Sequence, residues 1–385
     1  MALELHSHIP PQYTFPEYIP SDEVISPKSA QGGGKNAHYY FKPYRILRDI
    51  AHISSGYHHN LAIDHRGELW EWGALKKISP DGWYHPDAPQ EVNYVPQKVM
   101  DNASIADAGA AYTMCISKDK KLWGWGENKY GQLGVGDFEK RDTPVLVMED
   151  VKSVLATEYQ TFAIKTDGSL WGWGDNSENH ILLGAPEVCP TPVHLMDHVM
   201  EISAGPEIAV VVKEDNTLWA WGGAASRFIF GEPTRIIERG PELLLTGIAT
   251  ASVSKYDLCS WCLATTLTGD LYSLGGSVGA IGSLVSPIPK ASPYRNVTPV
   301  KVMQNAAKTR SGNDFSLIQM TDGRLFGGGD NSLGQCGDGK SSGTRYKPVQ
   351  IMTHVVEVAA GWNYGMALQR NGDLWIWGGD YGIER

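Results

Sequence analysis

Leu122-Trp123-Gly124-Trp125-Gly126-Glu127-Asn128-Lys129-Tyr130-Gly131-Gln132-Leu133-Gly134 is the stretch on which the fold turns. Its first five residues, Leu-Trp-x-Trp-Gly, recur intact from Leu69, Leu170, Leu218 and Leu374. Looser copies are Leu271-Tyr272-Ser273-Leu274-Gly275 and Leu325-Phe326-Gly327-Gly328-Gly329. Successive leucines lie 53, 48, 48, 53, 54 and 49 residues apart, a period of about fifty. Self-similarity at such a period marks a repeat architecture, because each unit can bury its apolar face only against a neighbour.

A second landmark keeps the same phase. Proline followed by alternating apolar residues occurs as Pro96-Gln97-Lys98-Val99-Met100, Pro144-Val145-Leu146-Val147-Met148 and Pro192-Val193-His194-Leu195-Met196. Together with Pro43, Pro299 and Pro348, each of these prolines precedes its repeat leucine by 26 residues. Two further short apolar stretches separate the landmarks, as at 151–156 and 161–164, and Gly, Asp and Asn punctuate them as turns. The pattern predicts an all-β fold: a seven-bladed β-propeller of four-stranded antiparallel blades of about 50 residues, closed into a ring that leaves few exposed sheet edges.

Residues 1–36, with five prolines and the Gly32-Gly33-Gly34 run, match no repeat and are expected to be a poorly structured extension. Residues 37–385 form the propeller, and the segment from Tyr39 to Leu47 is expected to close the ring against the C-terminal blade. Blade five is longer than the others, by 12 residues if Pro233 is its landmark or by 4 if Pro241 is, with the extra length expected near 253–259.

Apolar residues make up 42% of the 385 and charged residues 20%, ample for a large core. The net charge of −10 argues against nucleic acid, whose binding draws on clustered Lys and Arg. No apolar run is long enough to insert in a bilayer. Five scattered cysteines and no signal-like block at the start favour a cytoplasmic place, or an extracellular one if the natural chain begins earlier. Cys259-x-x-Cys262 lacks a second pair with zinc-ligand spacing, and the twelve histidines form no metal motif. No nucleophile elbow, phosphate loop or dinucleotide fingerprint is present, so neither cofactor nor catalysis is expected.

The combination of G-x-x-H-x-x-A-L, a Leu-Trp-x-Trp-Gly strand and G-x-N-x-x-G-Q-L-G resembles the regulator of chromosome condensation repeat. The residues that carry the resemblance are Leu122 to Gly134, Asp330-Asn331-Ser332-Leu333-Gly334-Gln335-Cys336-Gly337, and Gly56-Tyr57-His58-His59-Asn60-Leu61-Ala62-Ile63. The resemblance implies a seven-bladed propeller and a binding role: exchange factor for a small GTPase, adaptor or scaffold, or inhibitor that clamps an enzyme.

Ten of the thirteen tryptophans fall in the repeated strand and read as packing between blades; Trp83, Trp261 and Trp362 do not. The position aligned with the repeat histidine holds His59, Tyr112, Gln160, Ile208, Trp261, Phe315 and Tyr364. That position either packs between blades or joins an exposed rim, and the two residues before it are expected to face solvent. The expected partner-binding rim is Tyr57, His58, Tyr112, Tyr159, Glu207, Tyr256, Asp257, Trp261, Asp314, Trp362, Asn363 and Tyr364, with Glu158 among them. Such a mixture of aromatics and acids suits a monomeric, non-catalytic propeller that binds another protein. A lectin-like propeller whose axial mouth or rim takes glycans or peptides is the alternative, since exposed aromatics also stack on sugars.

Overall fold

The computed structural model describes residues 40–57, 59–73, 93–177, 181, 186–206, 208–222, 240–255, 261–275 and 299–379. Blade two shows how one repeat folds. Its strands are Ala103–Ala108, Tyr112–Ser117, the tryptophan strand Leu122–Gly126 and the proline strand Arg141–Met148, hydrogen-bonded in that order. Seven such antiparallel sheets follow one another, and the first strand of each lines a common axial cavity. The protein is a seven-bladed β-propeller.

Each proline strand is the outer edge of the blade whose tryptophan strand precedes it. Position explains composition here. An edge strand has one row of N–H groups without partners, so proline's missing donor costs little there and blunts the edge against further pairing. The same logic closes the ring. Tyr40–Leu47, which carries Pro43, supplies the outer strand of blade seven by pairing with Leu374–Gly378, with Leu47 opposite Leu374 and Tyr40 opposite Gly378. The sequence expectation for ring closure is met. Residues 1–36 lie outside the described residues.

The core lies between blades. Tyr112, Met114 and Leu122 of blade two pack on Val151, Ala156, Ala163 and Trp173 of blade three. The second tryptophan of the motif is buried in every blade that has it, with Trp72, Trp173 and Trp377 at 1%, 0% and 1% exposure. Removing ~200 Å² of ring from water favours folding by about 5 kcal/mol as an upper bound.

The G-x-N-x-x-G-Q-L-G loop fastens this tryptophan. Asn128 Oδ1 accepts from Leu133 N at 2.9 Å, and the Gln132 carbonyl then accepts from Trp173 Nε1 at 2.9 Å and Thr161 Oγ1 at 2.8 Å. The copy at Asn331 repeats the arrangement, with Cys336 N on Asn331 Oδ1 at 2.9 Å and Trp377 Nε1 on the Gln335 carbonyl at 2.8 Å. Gly134 has φ 77°, and a Cβ there would lie 2.6 Å from Trp173 Nε1.

Two backbone devices recur in every blade. The crossover from one blade to the next passes through a left-handed residue: Asp49, Asn102, Asp150, His198, Gly247, Asn305 and His354, with φ between 60° and 72°. Asn, Asp, His and Gly are the types that tolerate this region. A bulge follows the first residue of each inner strand, as between Ile50 and His52 and between Ala306 and Lys308. Bulges re-aim the strand, here turning its third and fifth residues toward the axis.

In blade five the second strand, Trp261–Thr266, starts 13 residues after the inner strand Ile248–Ser252, against 9 in blade two. The insertion is therefore of four residues and lies in the turn between these strands, in agreement with the reading that starts from Pro241.

Candidate functional site

Outside blade five, the inner strands end in a four-residue turn that decides which side chains reach the surface. Gly109 N donates to the Tyr112 carbonyl at 2.9 Å, and Gly361 N does the same to Tyr364. The ring of the fourth residue folds back over the first: a Cβ on Gly109 or on Gly361 would lie 2.1 Å from the ring of Tyr112 or Tyr364. Glycine is needed for that approach. The fourth residue therefore points between blades; the two central residues are half-buried in blades three, six and seven, whereas Tyr57, Ala110 and Ala111 are buried.

This geometry corrects part of the expected rim. Tyr112, Trp261 and Tyr364 are each 0% exposed and offer nothing to a partner directly. They are fasteners instead. Tyr112 Oη donates to the Gln160 carbonyl at 2.5 Å in blade three, and Tyr364 Oη to the Gly56 carbonyl at 3.1 Å in blade one. His59 is likewise sealed, with Nε2 3.1 Å from Thr113 Oγ1. Asp314 and Asn363 are half-buried, and their carbonyls accept from Asp330 N at 2.7 Å and Gly379 N at 2.8 Å, tying the end of the third strand to the turn. His58, Glu207, Tyr256 and Asp257 lie outside the described residues, as does Trp83.

The remaining residues converge. Trp362 of blade seven meets Tyr57 of blade one edge-on at a centroid distance of 4.4 Å. Tyr57 Oη, itself on a side chain only 7% exposed, donates to Glu158 Oε2 at 3.2 Å in blade three. Tyr159 follows Glu158 and packs on Tyr130 at 4.4 Å. The result is an aromatic row from Trp362 to Tyr130 with acids set into it.

Burial first, and then the nearby Asp175 charge, push the Glu158 carboxyl above its ordinary range, although hydrogen bonds from Tyr159 and Tyr57 oppose this. Asp175 is also raised, by burial and by Glu187, against hydrogen bonds from Ser177. No ion pair neutralises either acid among the described residues. Sequence reasoning missed Tyr130 and Asp175. Tyr130 sits in the exposed turn of the G-x-N-x-x-G-Q-L-G loop, which was a usable signal.

The ring also encloses an axial cavity of about 530 Å³, whose charged lining sequence reasoning missed. The seven bulges place His52, Ile105, Ser153, Glu201, Thr250, Lys308 and Glu357 in one ring around it. Asp107 and Arg310 lie one layer nearer the rim. Glu357 Oε1 accepts from His52 Nδ1 at 2.8 Å, and His52 Nε2 faces the Ala106 carbonyl at 2.9 Å. With both ring nitrogens on acceptors, Glu357 raises the imidazole's affinity for its proton despite burial, which acts the other way. Asp107 accepts from Lys255 Nζ at 2.8 and 2.7 Å, from Ser54 Oγ at 2.6 Å and from Ala156 N at 2.8 Å. Charges inside strands otherwise patterned as buried were the sequence signal for this cavity.

The cysteines Cys115, Cys189, Cys262 and Cys336 are buried thiols, and burial pushes Cys262 up to about 12. Cys259 lies outside the described residues.

Comparison with known proteins bears on the family. The regulator of chromosome condensation (RCC1) repeat model matches residues 119–164 and 322–368, the two stretches that contain the loop fasteners of blades two and six. The chain is 31% identical over 97 residues to the probable E3 ubiquitin-protein ligase HERC6 of Homo sapiens, covering 24% of this chain and 9% of that protein. It is 33% identical over 99 residues to the ultraviolet-B receptor UVR8 of Arabidopsis thaliana, covering 25% of this chain and 21% of the receptor. The matched stretches thus span less than a quarter of the length of these relatives. Among solved structures, human WBSCR16 superposes with a TM-score of 0.68 at 16% identity, over 87% of this chain and 88% of that one. Prp20p of Saccharomyces cerevisiae, described with its binding to Gsp1p and histones, gives 0.65 at 16% identity over 86% and 82%.

Proposed function

The chain belongs to the regulator of chromosome condensation repeat family, and from that premise we propose that it is a non-catalytic binding module whose rim covers a basic surface of another protein. The observation that carries this reading is the row Trp362, Tyr57, Tyr159 and Tyr130 around the unneutralised acids Glu158 and Asp175. Aromatic rings bring large contact area at little rotamer cost, and a desolvated carboxylate among them rewards a cation from the partner. A protein of net charge −10 also attracts a basic partner at long range.

Affinity capture with the intact chain tests the reading. Trp362→Ala and Tyr159→Ala should each weaken binding of the captured partner at least tenfold and leave the melting temperature within about 2 °C. Normal capture by both variants would place the interface elsewhere. Binding that strengthens with added salt would contradict the charge argument.

A further inference from the structure

We propose that the axial cavity is a binding site for a small organic anion, its carboxylate or phosphate head held by Lys308 and Arg310 and its apolar body lying at the mouth beside Met200 and Val356.

An ion pair narrows the cavity on the rim side. Lys255 leaves the end of the blade-five inner strand and reaches both oxygens of Asp107 in blade two, at 2.7 and 2.8 Å, so the ion pair crosses the axis on the rim side. Toward the other face a second cavity of about 390 Å³ shares His52, Lys308, Arg310 and Glu357 with the first. Among the described residues, no ion pair crosses the axis on the face opposite the rim, which offers the freer entry. The main volume, about 530 Å³, lies within the range of ~300–1,000 Å³ that small-molecule sites occupy.

The charges inside are unevenly matched. Asp107 is saturated by Lys255, Ser54 and the Ala156 amide, and Glu357 by His52 and the Ile53 amide. Glu201 accepts from the Ala251 amide at 3.3 Å and approaches Arg310 only to 3.9 Å. No carboxylate stands within 4.0 Å of Lys308 among the described residues. Lys308 and Arg310 are two residues apart on one strand, so both face the cavity and repel each other. Arg310 first, and burial second, hold the Lys308 ammonium below its ordinary range. A pair of like charges in a place short of water is relieved by an anion between them.

The mouth is mainly apolar. The second residues of the inner strands ring it: Met200 and Val356 are 37% and 44% exposed there, Ala51 and Ala307 are also exposed, and Ser104 and Lys152 are the exposed polar members of the ring. Phosphate and carboxylate heads share the chemistry the two cations need, and an apolar body matches this ring.

The test is calorimetric titration of the full chain with hexanoate, hexyl phosphate and hexanol. We expect at least one of the two anions to bind, and hexanol not to. Lys308→Met combined with Arg310→Met should weaken binding at least tenfold, Lys308→Met alone should weaken it measurably, and Glu201→Gln should strengthen it. Circular dichroism identifies any variant that fails to fold, and the single substitutions then carry the comparison. Heat from neither anion, equal heat from hexanol, or equal affinity in the folded cation variants and the parent chain would overturn the proposal.

Discussion

Glu71→Gln should leave the propeller more stable at alkaline pH and slightly less stable in acid. Glu71 occupies the variable position of Leu-Trp-x-Trp-Gly in blade one and is 4% exposed. Its Oε1 accepts from Thr113 Oγ1 at 2.6 Å and its Oε2 from Trp125 Nε1 at 3.4 Å, both in blade two. Burial raises its pKa from 4.5 to about 7, with the two hydrogen bonds working against the rise. Below pH 4.5 the carboxyl is protonated in the folded and unfolded chains alike. Between 4.5 and 7 the unfolded chain releases the proton and the native one keeps it, so stability falls as pH rises. Above 7 both are ionised and the loss is constant. At about 1.4 kcal/mol per pH unit the full loss is about 3 kcal/mol.

Glutamine carries no such penalty. Its amide can serve the same partners by donating to Thr113 and accepting from Trp125, with His59 taking the tautomer that accepts from Thr113, at a cost of about 1 kcal/mol in weaker bonds. The variant should therefore gain about 2 kcal/mol at pH 8.5 and lose up to about 1 kcal/mol at pH 4. Urea unfolding followed by tryptophan fluorescence at both pH values measures the difference. A variant-minus-parent difference that does not change between pH 4 and 8.5 would refute the reasoning.

Two other outcomes follow from the same geometry. Gly134→Ala meets Trp173 Nε1 at 2.6 Å with φ at 77° and should cost at least about 2 kcal/mol by the same urea assay, whereas Gly136→Ala, whose Cβ would be 3.6 Å from Thr191, should cost only the backbone strain of about 1 kcal/mol. His52→Gln should cost about 1–2 kcal/mol near pH 5.5 and clearly less near pH 8.5. Glu357 raises the histidine's pKa, so that contribution is complete below 6.5 and fades above the raised value; the lowered Glu357 contributes fully above 4.5. Equal losses at the two pH values would show that the pair is not charged.

Much of the candidate rim was legible, because turns follow fixed spacing from the repeat leucine. Trp362, Glu158 and Tyr159 are half-buried at their turn positions, whereas Tyr57 is buried beneath Trp362. Tyr112, Trp261 and Tyr364 occupy the position aligned with the repeat histidine, for which spacing left both an exposed rim and packing between blades open; in the turns of Tyr112 and Tyr364 the glycine three residues earlier lets the ring fold inward. For the position aligned with the histidine, packing between blades wins. The blade boundary also moved by one strand: spacing ties each proline to the leucine that follows it, but hydrogen bonding ties it to the tryptophan strand that precedes it.

Repetition in the chain determined the fold class, the number of blades, the ring-closing segment and the role of most tryptophans, since seven copies in phase leave one way to bury seven apolar faces. The tertiary structure decided what the ring encloses. Whether Lys308, Arg310, Glu201, Glu357 and His52 face one another depends on seven strands from distant parts of the chain meeting at one axis, and on a bulge in each that turns two residues inward. Neither the meeting nor the turn is a property of any single strand.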